Sequence, residues 1–321
     1  MSEHWSTTKE AGALSGMRFM IGIYNLLGRG VFTAILVPVI AYFFIRRGNA
    51  RRASMDYLRR IKRTYPEKFR YQPIIWLSYR HFLTFGQSIL DKYIVWASKT
   101  TEITLPPADR KLLFDQLESG EGCLLMGSHF GNLEYSRGIA VQYPELVINV
   151  LIHDQHSEKF SALMKDADTD SRMNLIQVTD IDFELALSLK NKVDRGEWVA
   201  IAADRVPVGE RKRVCRVDFL GDEASFPVGP YVLASLLNCP VYLLHCYYAE
   251  KQYHVGVEFY GKELKFPRKN RQQAYQDAAQ KYAIALERQV ARYPLQWFNF
   301  FDFWNTDNQQ ELKTKGSDKN D

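Results

Sequence analysis

From Met17 to Ile45 the chain reads MRFMIGIYNLLGRGVFTAILVPVIAYFFI, apolar on every helical face, with Arg18 near its start and Arg29 its only charges. The uninterrupted part, Val31–Ile45, would make a helix of roughly 22 Å, shorter than a ~30 Å hydrocarbon core. Counted from Met17 the run is long enough to cross, although Gly28-Arg29-Gly30 and Pro38 weaken a straight span. Apolar residues then recur at three- and four-residue steps through Tyr57, Leu58 and Ile61 and across Ile74–Ser98, the period of a helix. Pro106 and Pro107 open a further helix that Gly120 and Gly122 end.

Strand-like runs follow at Cys123–Ser128, Leu146–Ile152, Asn174–Val178, Trp198–Ala203, Arg216–Leu220, Val241–Tyr248 and His254–Tyr260. Helical stretches at Phe183–Arg195 and Gly229–Leu237 separate several of them, and a last helix is expected over Arg271–Arg292. Alternating strands and helices predict an α/β domain with a central mixed sheet flanked by helices, its last strands antiparallel across Glu250-Lys251-Gln252. The chain divides into an N-terminal segment with the hydrophobic anchor (1–48), an α/β domain (49–305) and a polar tail expected to be disordered (306–321).

Charge sharpens the picture at one place. Of 321 residues with a net charge of +5, residues 46–63 alone hold eight basic side chains and one acid, so the remainder is slightly acidic. A basic cluster directly after an apolar run points to anionic headgroups on the cytoplasmic side of a membrane, not to nucleic acid, which calls for interleaved aromatics on a cationic face. Arg46-Arg47 follow the apolar run at once without a small-x-small site, which argues against a cleaved signal peptide. Cys123, Cys215, Cys239 and Cys246 show neither CxxC nor Cys/His spacing, so neither a metal site nor a disulfide framework is expected.

The chemistry concentrates in Glu121–Arg137, EGCLLMGSHFGNLEYSR. A strand delivers His129 at its carboxyl end, the usual place for functional groups in open α/β sheets. Gly131 permits a sharp turn, Asn132 can cap the following helix, and Glu134 falls in its first turn. Residues five apart diverge on a continuous helix, but across a strand–loop–helix bend a His–carboxylate pair can meet. Such a pair fixes one imidazole tautomer and stabilises the imidazolium, and no Ser or Cys nucleophile is needed when an acceptor hydroxyl attacks directly. Asp204, closing WVAIAAD, and Arg205 can line the same cleft; a surface salt bridge is the other reading of that pair.

The segment Gly122–Glu134 resembles the HxxxxD/E block of the lysophospholipid acyltransferase superfamily, and more narrowly the H-x-G-N-W-E of lipid A late acyltransferases, with Leu133 in place of the tryptophan. The resemblance extends over roughly residues 17–304. RRAS…YLRR after the apolar run is similar to the family's opening segment. Asp204 with Val217–Pro230 is similar to its D…F-F-G-x-P-A block, and Tyr293-Pro294-Leu295-Gln296-Trp297 to a segment near its end. Phe298–Phe303 stands where the family carries a His-Arg-Arg-Phe run, and His153 stands where it places an arginine, with Arg172 the nearest alternative.

The resemblance implies a glycerolipid acyltransferase-like fold and a bacterial inner-membrane enzyme whose catalytic domain faces the cytoplasm. His129 would be the general base and Glu134 its orienting partner, with Asn132, Asp204, Arg205 and Arg172 toward the substrates. Helix-terminal amides near Asn132 or Val228 would receive the oxyanion. The implied donor is an acyl thioester on acyl carrier protein, a co-substrate and not a cofactor, and the acceptor a glycolipid hydroxyl such as that of a lipid A precursor. The basic residues Arg205, Arg211, Lys212, Arg213, Arg216, Lys265, Arg268, Lys269 and Arg271 can form a cationic rim that steers an acidic carrier. The opening Trp5…Lys9-Glu10-Ala11-Gly12…Gly16-Met17-Arg18 also looks like a branch associated with aryl-polyene clusters, which would change the acceptor. Water in place of the acceptor would make the same pair a thioester hydrolase.

Overall fold

The computed structural model describes residues 14–97, 103–143, 145–152, 173–178, 183–207 and 213–304. Three helices come first: α1 (Leu14–Arg46), α2 (Gly48–Thr64) and α3 (Ile74–Ala97). Gly28, at φ +78°, kinks α1, whereas Pro38 is accommodated inside it. The α/β body follows as α4 (Pro107–Glu118), β1 (Leu124–Gly127), α5 (Arg137–Gln142), β2 (Ile148–Ile152), β3 (Met173–Gln177), α6 (Phe183–Val193) and β4 (Trp198–Ala202). The hairpin β5 (Val214–Phe219) and β6 (Asp222–Pro227), α7 (Gly229–Leu237), β7 (Val241–Ala249), β8 (Gln252–Gly261) and α8 (Arg271–Arg292) complete it.

Six strands form one mixed sheet in the order β3-β2-β4-β1-β7-β8. Its first five strands are parallel, and β8 returns antiparallel to β7 as its polar connection predicts. Glu250 and Lys251 both take positive φ, the mirror-image turn whose twist suits a two-residue hairpin. β1 sits near the middle, fully buried, and its alternating side chains divide the core. Leu124 and Met126 join Leu189, Val199, Leu243, Tyr282 and Leu286 on one side. Cys123 and Leu125 join Leu113, Ile148, Trp198 and Val255 on the other.

The strand β6 departs from the sequence reading. Asp222–Pro227 is DEASFP, with no apolar alternation to announce it, yet it pairs with β5 along its whole length in a separate two-stranded sheet. The turn between them puts Leu220 at φ +55°, a conformation L-residues seldom take, and neighbours clamp it there. Its N–H donates to Glu287 Oε2 at 2.6 Å and its carbonyl accepts from Thr64 Oγ1 at 3.0 Å. Asp222 receives Arg60 and Arg63, each at 2.7 Å, and the Arg60 guanidinium lies 4.1 Å from the Trp304 ring centre. Part of the basic cluster expected to meet headgroups is therefore paired with the protein's own carboxylate.

Candidate active site

The register of two neighbouring strands builds the site. β1 and β4 run parallel with Gly127 opposite Ala202, so residues two steps beyond each strand, His129 and Asp204, come face to face. His129 Nδ1 lies 2.8 Å from Asp204 Oδ1, and the His129 backbone N–H donates to Asp204 Oδ2 at 2.9 Å. The same Oδ2 accepts from the Trp297 indole Nε1 at 3.0 Å. Asp204 is 1% exposed, whereas the His129 side chain is 37% exposed. With Nδ1 taken, Nε2 is the nitrogen left to exchange a proton with a substrate.

The loop carrying His129 is held on both sides. Phe130 is fully buried and bridges antiparallel to Trp297, and Phe298 N–H donates to the His129 carbonyl at 3.0 Å. Gly131, at φ +68°, passes so close to β7 that a Cβ there would sit 1.8 Å from the Cys246 carbonyl oxygen. Only glycine meets both conditions.

Electrostatics divide the pair into an anion and a neutral base. Burial opposes ionisation of Asp204, but His129, Arg205 and the Trp297 donor outweigh it and hold the carboxyl at about 2. His129 lies below its ordinary value: burial favours the neutral ring, the charges of Arg205 and Lys92 add to this, and Asp204 opposes it.

The orienting contact expected from Glu134 is made by Asp204. Glu134 lies in a short 3₁₀ turn, Leu133–Ser136, and faces Lys92 with 3.8 Å between Oε1 and Nζ. Asn132 caps no helix with its side chain; it is buried, with Nδ2 donating to the Ser88 carbonyl at 3.4 Å. Of the helix-terminal amides near Asn132 and Val228 considered for an oxyanion, those of the two residues themselves are bound to the carbonyls of Cys246 (2.6 Å) and Arg213 (3.2 Å). Arg205 donates to the Phe298 carbonyl at 2.6 Å and stands over the Phe301 ring, so it braces the C-terminal segment beside Asp204. Arg172, His153, Arg211 and Lys212 lie outside the described residues.

Of the remaining cationic candidates, Arg216 pairs with Glu223 and Lys265 with Glu263, while Arg268, Lys269 and Arg271 line a shallow surface depression with Tyr275. Neither Trp297 nor Lys92 is marked as a site residue by the sequence pattern. Trp297 stands inside a segment noted for its resemblance, which was the available signal, and nothing local marks Lys92. Among the described residues no three His, Cys, Asp or Glu side chains gather as a metal site, and the four cysteines are free and buried.

A buried carboxylate that fixes one nitrogen of a reachable imidazole, at the carboxyl ends of two parallel strands, suits proton abstraction from a hydroxyl. The family model for bacterial lipid A biosynthesis acyltransferases matches residues 3–306. The chain belongs to this family. As a member of the lipid A acyltransferase family it is an acyltransferase that acts on lipid. A search of curated proteins returns no match. α1 is long and apolar enough over Ile21–Arg46 to cross a membrane, which together with a family acting on membrane lipid suggests membrane association.

Proposed function

We propose that this acyltransferase moves a fatty acyl chain from the thioester of an acyl carrier protein to a hydroxyl of a lipid A precursor or similar glycolipid, at the cytoplasmic face of the inner membrane. His129 Nε2 takes the proton of the acceptor hydroxyl as its oxygen attacks the thioester carbonyl. The tetrahedral intermediate then collapses, the carrier thiolate leaves, and the imidazolium returns the proton to that sulfur. The products are an ester and a free carrier thiol.

Asp204 keeps the Nδ1 proton in place, so the imidazole presents Nε2 as the base and the positive charge formed on it is met by a buried anion. Lys92 and Arg205, the two cations whose charge reaches His129, supply positive potential for the developing oxyanion. The observation that carries this reading is the continuous chain His129–Asp204–Trp297, in which one buried carboxylate serves three donors.

The test is mass spectrometry of total lipids from cells with and without the protein, and with His129→Ala. A lipid that gains one acyl chain only when His129 is intact is the expected result, and it identifies the acceptor. An unchanged lipid profile, with faster loss of acyl thioester in the purified reaction, would replace transfer by hydrolysis.

A further inference from the structure

α1 does not stand apart from the catalytic body. Phe32, Leu36, Ile40 and Phe44, spaced four apart, are buried against Phe82 and Leu90 of α3. The pairing is antiparallel along the whole stretch. Phe44 meets Tyr79 and Phe82 edge-on at ring distances of 5.6 and 5.3 Å. Ile40 and Leu36 lie against Gly86, where a Cβ would come within 2.9 Å of Ile40 Cδ1. At the far end Arg29 grips Asp91 through both carboxylate oxygens, at 3.0 and 3.1 Å.

α3 itself cannot cross the hydrocarbon core, because its other face belongs to the body. Ser78 and His81 bond to Ser54 of α2, and His81 Nε2 lies 2.9 Å from the Trp297 carbonyl oxygen. A helix fastened lengthwise to such a partner shares its level. Crossing the bilayer would require α1 to peel away, exposing Phe82 and Leu90 and leaving Asp91 without Arg29.

The outer face of α1 nonetheless needs a cover. Leu26, Leu27, Val31, Val37, Tyr42 and Ile45 are exposed, Leu26 at 82% and Ile45 at 70%, where a soluble helix would carry polar groups. The apolar surface continues onto α3: Tyr79 donates its hydroxyl to the Val37 carbonyl and stacks on Trp76, which is exposed together with Ile75 and Tyr71. Cations border it. Arg46 stands over the Tyr42 ring, Arg70 over the Tyr71 ring, and Arg52 and Arg59 are exposed on α2. Apolar side chains flanked by arginines complement the acyl chains and anionic headgroups of one leaflet.

We propose that α1 lies in the plane of a single leaflet while docked on α3, and that its outer face with Tyr71, Ile75 and Trp76 is the lipid-bilayer contact surface. This rests on the reading of the chain as an enzyme of membrane lipid, and it replaces a spanning anchor by an in-plane one. It also places the α1 kink at Gly28, with Arg29 tied to Asp91, at the lipid surface next to Lys92 and the site, so an acceptor reaches His129 from the leaflet without leaving it.

The test uses the full chain bound to sealed vesicles of phosphatidylethanolamine and phosphatidylglycerol. Cysteines placed by Ser6→Cys and Ser317→Cys are probed with an impermeant maleimide, the four native thiols being buried. Both sites react from the outside if α1 lies in plane, and nitroxides at Leu27, Val31, Ala34, Tyr42 and Ile45 share one shallow depth. Protection of Ser6→Cys with reaction of Ser317→Cys, or nitroxide depth passing through a maximum near Ala34, would overturn the proposal. Ile45→Glu with Trp76→Glu should lower vesicle binding at least tenfold while acyl transfer in detergent micelles is kept; unchanged binding would also overturn it. Because transfer in micelles is read separately, its loss in the wild-type protein would count against the enzymatic reading, not against the membrane geometry.

Discussion

Trp297 and His129, 168 positions apart in the chain, are bound to the same carboxylate: the indole Nε1 reaches Asp204 Oδ2 at 3.0 Å and the imidazole Nδ1 reaches Oδ1 at 2.8 Å. Removing either tie has a distinct consequence. Asp204→Asn keeps the shape but allows the wrong imidazole tautomer and withdraws the anion, so turnover should fall on the order of 10²–10⁴-fold. Trp297→Phe leaves a buried carboxylate oxygen one donor short, a cost of roughly 1–3 kcal/mol, so a tenfold or greater loss of turnover should accompany a lower melting temperature. Steady-state rates and thermal unfolding of the two variants check this. Wild-type turnover in Asp204→Asn would remove the carboxylate from the mechanism.

The pH profile separates the two carboxylates. His129 titrates below the ordinary 6.5, so kcat/KM should rise through an acid limb whose midpoint lies under that value and stay level above it. Asp204 raises the His129 pKa, so Asp204→Asn should move the limb of its residual activity further toward acid. Glu134→Gln, whatever turnover it loses, should leave the midpoint where it is. A shift in Glu134→Gln matching that in Asp204→Asn would return the orienting role to Glu134.

Stability should also depend on pH, through histidines the reaction does not use. His81 and His245 are buried, and burial lowers both from 6.5 to about 4. Between those values the unfolded chain binds protons that the folded one refuses, so stability falls as the pH drops from 6.5 toward 4. Asp204 adds a second loss at lower pH, because its folded value of about 2 lies below the 3.8 of a free carboxyl. Chemical denaturation from pH 7 to pH 4 should show this slope, and His245→Leu should flatten it. An unchanged slope in His245→Leu would mean that this ring is solvated and not buried neutral.

Much of this architecture is legible in the sequence. α8 spans Arg271–Arg292 as expected, and β1, β4 and β7 fall within a residue or so of their apolar runs, because buried parallel strands have no polar face to blur them. β6 was missed for the opposite reason: its polar residues are stabilised by Arg60, Arg63 and the clamped turn at Leu220, not by alternation. Within the site, His129 was legible from its place after a buried strand and before a glycine. Its partner was assigned by nearness in sequence to Glu134. The decisive fact was strand order: β4 lies beside β1, so Asp204 stands as far beyond its strand as His129 does beyond its own. Sequence spacing carries no record of that adjacency. The lengthwise docking of α1 on α3 was hidden in the same way, since an apolar run looks alike whether protein or lipid covers it.

The acyl donor gives the remaining prediction. Arg268, Lys269 and Arg271 gather around the start of α8 and line one depression, whereas Arg216 and Lys265 are neutralised by Glu223 and Glu263. An acidic carrier approaching the protein is guided by these three charges, for which no acidic partner stands among the described residues, and a small acyl thioester without a carrier domain is not. Reversing all three to glutamate should therefore raise KM for acyl carrier protein roughly tenfold or more, leave kcat near wild type, and leave KM for a short acyl thioester unchanged. The wild-type KM for the carrier should itself climb with salt, and the triple variant should lose that dependence, since the steering field extends only about 10 Å at 0.1 M. Equal changes in both KM values would mean that the substitutions disturb the acyl site itself, and no change in either would place carrier docking on another face.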